Sequence, residues 1–137
     1  MVKTTVGAII TNNDKPKKLL LTKRAIEPFK GYWCFPGGHI DEYEKAENAV
    51  IREVKEETGL DFKPSFVMYS DEIIPEVNQH AVVLIFQGTG SGELLIEESE
   101  VLEAKWFNFK EARELKLAFG HNQILDEFLR NNYVLIL

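Results

Sequence analysis

Three carboxylates, Glu53, Glu56 and Glu57, fall within five consecutive positions of the segment REVKEETGL. On a helix turning 100° per residue they occupy about one third of the circumference, so their side chains converge. A solvated acidic face is the ordinary meaning of such a run. Yet close like-charged pairs oppose a helix by a few tenths of a kcal/mol each. The cluster also lies near the helix C-terminus, where the dipole disfavours negative charge. A bound hard cation removes both conflicts. Mg2+ and Mn2+ take carboxylate and water ligands, and Mg2+ commonly shares them with substrate phosphates. Arg52 borders the cluster and is placed to pair with one carboxylate, while Lys55 points away.

The element that presents this face is a helix from about Lys45 to Thr58, with Ala46, Val50, Ile51 and Val54 as its apolar stripe and Gly59 as its stop. TTVGAII and KKLLLTKR flank the polar TNNDKPK, which predicts strand, turn and strand. GYWCFPGG is a short aromatic segment whose Pro-Gly-Gly predicts a turn. SFVMYSDEII and the nearly continuously apolar HAVVLIFQG predict two more strands, the latter central. GTGSGE reads as a flexible turn, AKWFNF as a last strand, and NQILDEFLRNN as an amphipathic helix with Ile124, Leu125, Phe128 and Leu129 inward. Strands outnumber helices, and one helix falls mid-chain and one near the end. The expectation is one α/β domain over residues 1–137, a mixed sheet covered by helices on both faces.

Composition narrows the function. A net charge of −6 gives no bulk field for polyphosphate or nucleic acid, so no nucleic-acid partner is expected and any phosphate must be held by a local device. No apolar run approaches the ~20 residues that span a bilayer, and no signal peptide is visible, so a cytoplasmic location without membrane contact is expected. The single cysteine, Cys34, cannot form an internal disulfide and reads as a small buried hydrophobe. The C-terminal NNYVLIL is apolar enough to add a strand or to contact a second subunit in a homodimer.

Upstream of the carboxylates the sequence runs GHIDEYEKAENAVIREVKEETGL. Gly38, Glu44, Arg52-Glu53-Val54, Glu56-Glu57 and Gly59-Leu60 match every specified position of G-x5-E-x7-R-E-U-x-E-E-x-G-U, where U is bulky and apolar. This resembles the Nudix box, and the chain is identified as a member of that family. The resemblance implies an α/β/α sandwich with a mixed sheet, and divalent-metal-dependent hydrolysis, usually with Mg2+, of a nucleoside diphosphate linked to another moiety. By position it makes Glu53, Glu56 and Glu57 the metal-binding and catalytic carboxylates, Glu56 and Glu57 foremost as ligands. It gives Arg52 and Glu44 the task of holding the box together, and lets the Gly37–Gly38 segment bring a backbone carbonyl, that of Gly37, to the metal. A base or further ligand from outside the box is expected in EESEVLEAKWF, with Glu100 favoured and Glu98 next. Tyr43 stands where many boxes have glycine.

KRAIEPFKGYWCFPGGHID and LAFGHNQIL resemble segments of ADP-ribose pyrophosphatases, as does Pro75, 15 residues beyond the box. Arg24 is then expected to bind phosphate by a charge-assisted fork. Phe29, Trp33 and Phe119 are expected to stack on a base or wall a ribose pocket, and His39 to touch phosphate. His80 reads as structural. His121 opens the last helix, within reach of a substrate. Two other readings stand beside this one: a nucleoside triphosphate pyrophosphatase that removes oxidised nucleotides, and a non-catalytic nucleotide-sugar sensor.

Overall fold

The computed structural model describes residues 1–132. Its strands are β1 (Lys3–Thr11), β2 (Lys18–Arg24), β3 (Trp33–Cys34), β4 (Gly37–His39), β5 (Asp61–Phe62), β6 (Ser65–Ile74), β7 (Gln79–Ser91) and β8 (Val101–Asn108). The helices are α1 (Ala46–Thr58), α2 (Phe109–Glu114) and α3 (His121–Asn132). The strands form one mixed sheet. β1 runs parallel to β7 from Lys3↔Ala81 to Thr11↔Thr89 and antiparallel to β2 and β4; β6 pairs with β7, and β8 with β2.

Alternation along β1 and β2 divides the core. Val6, Ala8, Ile10 and Leu20 face Ala49, Val50 and Val54 of α1. Ile9, Leu19 and Leu21 face the other way, toward Ala112 of α2 and Ile124, Leu125, Phe128 and Leu129 of α3. With apolar side chains on both faces, the sheet needs a cover on each, and the result is an α/β/α sandwich.

Several local expectations are corrected. Ile51 is exposed, and Ala49 takes its place on the buried stripe of α1. The Pro-Gly-Gly segment is not a turn: Gly37 and Gly38 lie in β4, opposite Gly7 and Val6. A Cβ on Gly37 would strike the Val6 carbonyl oxygen, so the glycine serves close strand approach. Nor is GTGSGE a flexible turn throughout, because β7 continues to Ser91 and pairs with β5 at Gly90 and Ser91. Gly88 and Gly90 sit there because a Cβ would meet Lys63 backbone and Ile10, respectively. The helix α2 was not expected. It begins at a capping box in which the Asn108 side chain accepts from the Glu111 N–H at 2.7 Å and the Glu111 carboxylate accepts from the Asn108 N–H. The apolar segment expected to form a strand or a homodimer contact lies outside the described residues from 133 onward.

Candidate active site

The last turns of α1 lie against β4. The Gly37 N–H donates to Glu57 Oε2 at 2.8 Å. A Cβ on Gly38 would come within 2.6 Å of the Glu53 carboxylate. The two glycines thus let helix carboxylates rest on strand backbone. α1 ends where the sequence predicts: Gly59 takes the left-handed conformation at φ 78° and donates to the Lys55 carbonyl.

Arg52 organises the acidic face. Its Nε and Nη2 donate to both Glu44 oxygens at 2.8 and 2.9 Å, its Nη1 to Glu53 at 2.9 Å and Glu56 at 3.2 Å, and its Nη2 to the His39 carbonyl at 3.0 Å. Asp41 stands 3.5 Å away. The expectation that Arg52 pairs with one carboxylate is therefore too small. Its fork reaches several, because the loop through Asp41 and Glu44 wraps back onto α1. The hydrogen bonds from Arg52, and then the Asp41 N–H, hold the Glu44 carboxyl down to about 2.

Glu53 and Glu57 shift the other way. Burial raises the Glu57 carboxyl well above the usual range; the Gly37 N–H opposes this, and the charges of Glu53 and Glu100 add to it. Burial likewise raises Glu53 against the pull of Arg52, with Glu56 and Glu100 reinforcing the rise. Glu53, Glu57 and Glu100 line one cavity of about 380 Å³. Their mutual repulsion there is the strain that a divalent cation relieves. Among the described residues no three acidic, His or Cys side chains stand gathered as a ready metal cage, and Glu53 and Glu56 are turned to Arg52. The all-oxygen, net-negative donor set nonetheless fits a hard divalent ion rather than a soft one.

The remaining predicted residues divide. Arg24 lines the cavity, donates from Nε to the Pro28 carbonyl at 2.8 Å, and stands 4.7 Å from the Phe119 ring centre. Phe119 lines the cavity; Phe29 packs edge-on behind it at 4.8 Å. Both take left-handed backbone, φ 63° at Phe29 and 56° at Phe119, costly for bulky side chains and frequent at ligand clamps. His39 and Gly38 line the cavity mouth, as does Glu100, whose carbonyl accepts from the Ala25 N–H; Glu98 does not reach it. Glu56 is on the solvent side of Arg52, not on the cavity wall. Trp33 is not brought to the site: half-buried, it packs edge-on against Phe107 at 4.9 Å at the edge of the core, since strand alternation turns it away from Cys34. Cys34 is buried as expected, beside Thr22 Oγ1 at 3.7 Å, and burial pushes its thiol up to about 11. His80 is exposed on β7.

Sequence reasoning missed Glu72 and Gln79, which also line the cavity. The signal was present in the alternation of SFVMYSDEII, which turns Ile73 outward and Glu72 inward, the reverse of what polarity favours.

A family model described as the NUDIX domain matches residues 1–128. The chain belongs to the Nudix family. It is 38% identical over 120 residues to the ADP-ribose pyrophosphatase of Methanocaldococcus jannaschii, covering 85% of this chain and 69% of that one. It is 31% identical over 109 residues to a putative 8-oxo-dGTP diphosphatase of Bacillus subtilis, covering 74% and 65%. Among solved structures, the NUDIX domain of Shewanella oneidensis NrtR, complexed with ADP ribose, superimposes with a TM-score of 0.85 at 25% identity over 96% of this chain and 88% of that one. With relatives named as pyrophosphatases and hydrolases, this chain is a Nudix pyrophosphohydrolase. Among the described residues no helix is long and apolar enough to cross a membrane.

Proposed function

We propose that this Nudix chain hydrolyses the pyrophosphate bond of a nucleoside diphosphate linked to a second moiety, with an ADP-ribose-like compound as substrate. The observation that carries the reading is one cavity with Glu53, Glu57 and Glu100 at one end and Arg24 and Phe119 on its wall. Glu53, Glu56, Glu57 and the Gly37 carbonyl are the groups that hold a divalent cation, Mg2+ with Mn2+ as substitute. When bound, such an ion neutralises phosphate charge and lowers the pKa of its water. Arg24 neutralises a further phosphate oxygen. The Glu100 carboxylate takes the proton of the attacking water. Water's oxygen bonds to one phosphorus, the bridging P–O bond breaks, and the products from ADP-ribose are AMP and ribose 5-phosphate. Arg52 keeps the carboxylates apart and oriented, and Glu53 and Glu56, which it pairs with, would turn from it to hold a cation. The free thiol of Cys34 suits a reducing compartment, the cytoplasm.

The test is a substrate panel with Mg2+: ADP-ribose, other nucleoside diphosphate sugars, dinucleotides, and normal and oxidised nucleoside triphosphates, with products separated by chromatography. Efficient release of AMP from ADP-ribose is expected. Preference for triphosphates, with pyrophosphate as product, supports the second reading, which the Bacillus subtilis relative's name favours. No cleavage of any compound, with Mg2+ or Mn2+, overturns both.

A further inference from the structure

The end of the cavity away from the acidic cluster holds a second polar group. Glu72, on β6, is 8% exposed, and its Oε1 accepts from Gln79 Nε2 at 2.9 Å. Its Oε2 faces His121 Nε2 at 3.7 Å, too long for a hydrogen bond. No lysine or arginine forms an ion pair with Glu72 among the described residues. His121 is itself buried and stacks on Phe35 at 5.0 Å. Its Nδ1 accepts from the Phe35 N–H at 3.2 Å, which fixes the ring proton on Nε2. The cavity wall therefore presents a donor, His121 Nε2–H, beside an acceptor, Glu72 Oε2. Among the described residues no polar side-chain atom sealed from solvent lacks a partner, so these two open into the cavity both residues line. An oxygen and an N–H that open into the cavity with no protein partner are free to take a hydrogen bond from a ligand and to give one to it.

The strand order gives the span. β6, β7, β1 and β4 lie side by side, and Glu72 pairs with Ala81, Ala81 with Lys3, and Gly7 with Gly37, so Glu72 is about 14 Å across the sheet and about 13 Å along it from the Gly37 backbone that meets Glu57, about 19 Å in all before the side chains reach inward. Shortened by that reach, the span separates a pyrophosphate from the far part of a nucleoside or sugar arm.

Resting on the pyrophosphohydrolase reading, we infer that Glu72 and His121 form the specificity subsite for the arm remote from the scissile bond. They bind a group that offers a donor next to an acceptor: a ribose hydroxyl, or the amino edge of a purine. The ligand's donor goes to Glu72 Oε2, and its acceptor receives the His121 Nε2–H. Gln79 positions the carboxylate.

The test measures binding, not turnover. ADP-ribose is titrated calorimetrically into the full chain and into E72Q. Two analogues are titrated beside it, one with hypoxanthine for adenine and one with the terminal ribose hydroxyls methylated. E72Q should weaken ADP-ribose about tenfold, because a charged acceptor becomes neutral. The analogue that lacks the recognised group should lose a similar factor with the wild type and little more with E72Q, and which analogue does so identifies the arm. A melting curve checks that E72Q is folded; if it is not, E72D, which withdraws the carboxylate by one methylene, replaces it. Equal affinity of wild type and variant, no measurable binding by either, or analogue losses that persist unchanged in the variant overturn the inference. Glu72-dependent binding without hydrolysis supports it while sinking the proposed reaction, and hydrolysis with Glu72-independent binding does the reverse.

Discussion

Replacing Gly38 by alanine separates the position of Glu53 from its charge. The new Cβ would stand 2.6 Å from a Glu53 carboxylate oxygen, so that group must retreat by about 0.8 Å to reach ordinary contact near 3.4 Å. The obstacle is the far end of a side chain, so α1 and β4 need not move. The Arg52–Glu53 hydrogen bond of 2.9 Å is strained by the same shift. Misplacement near 1 Å costs on the order of a hundredfold in rate. We therefore expect kcat/KM to fall about 50-fold in G38A, equal to ~2.3 kcal/mol of transition-state stabilisation, with thermal stability changed by less than ~1 kcal/mol. Gly37→Ala is the contrast. There the Cβ meets the Val6 backbone carbonyl, which cannot swing aside, and the β1–β4 pairing is forced apart at a cost of ~1–3 kcal/mol. Steady-state hydrolysis of ADP-ribose with Mg2+, run beside melting curves, reads both. If folded G38A keeps activity within threefold of wild type, or loses activity only in step with melting temperature, the assignment of Glu53 to the reacting site is wrong.

The metal assignment predicts that Glu56→Gln and Glu57→Gln each lower turnover about a hundredfold or more while the chain stays folded; near-normal turnover in either removes that residue from the ligand set. Tyr43 is 98% exposed and takes left-handed backbone at φ 66°. Tyr43→Gly should relieve ~1 kcal/mol of backbone strain and raise the melting temperature by about 3–5 °C, and an unchanged or lower value contradicts this account. Glu44 has its carboxyl lowered from 4.5 to about 2 by Arg52 and the Asp41 N–H. Its folded value is depressed, so its contribution to stability is full above pH 4.5 and is lost as pH falls toward 2. Denaturant midpoints followed through that window should fall more steeply for wild type than for Glu44→Gln; parallel curves would show that the pairing does not stabilise the fold.

The sequence was most legible where local physics decides. The spacing of Ala46, Val50 and Val54 with Gly59 gave α1 almost to the residue, because helical period and a left-handed cap act within a few turns. The same period placed Glu53, Glu56 and Glu57 on one face, and the box spacing joined Gly38 and Glu44 to them. Legibility ended where the neighbour across the sheet decides. Gly37, Gly88 and Gly90 look like turn residues in a linear reading, yet each lies in a strand because another chain segment passes too close for a Cβ. Ile51 and Ala49 exchanged roles because the sheet packs against the side of α1 that carries Ala49, Val50 and Val54, which leaves Ile51 outside.

By itself, then, the sequence determined the acidic helix face, its box and the α/β/α architecture, since periodicity and motif spacing are properties of the chain alone. Tertiary structure decided which of those groups face a common space. It packed Trp33 against Phe107 at the edge of the core, put Glu56 on the solvent side of Arg52, and brought Glu100 to the carboxylates from some forty residues downstream in the chain. It also lined the cavity with Glu72 and His121, which the pairing of β6 with β7 and the docking of α3 bring together. The physical reason is that burial and mutual charge, unlike period, depend on what packs opposite, and no single segment carries that information.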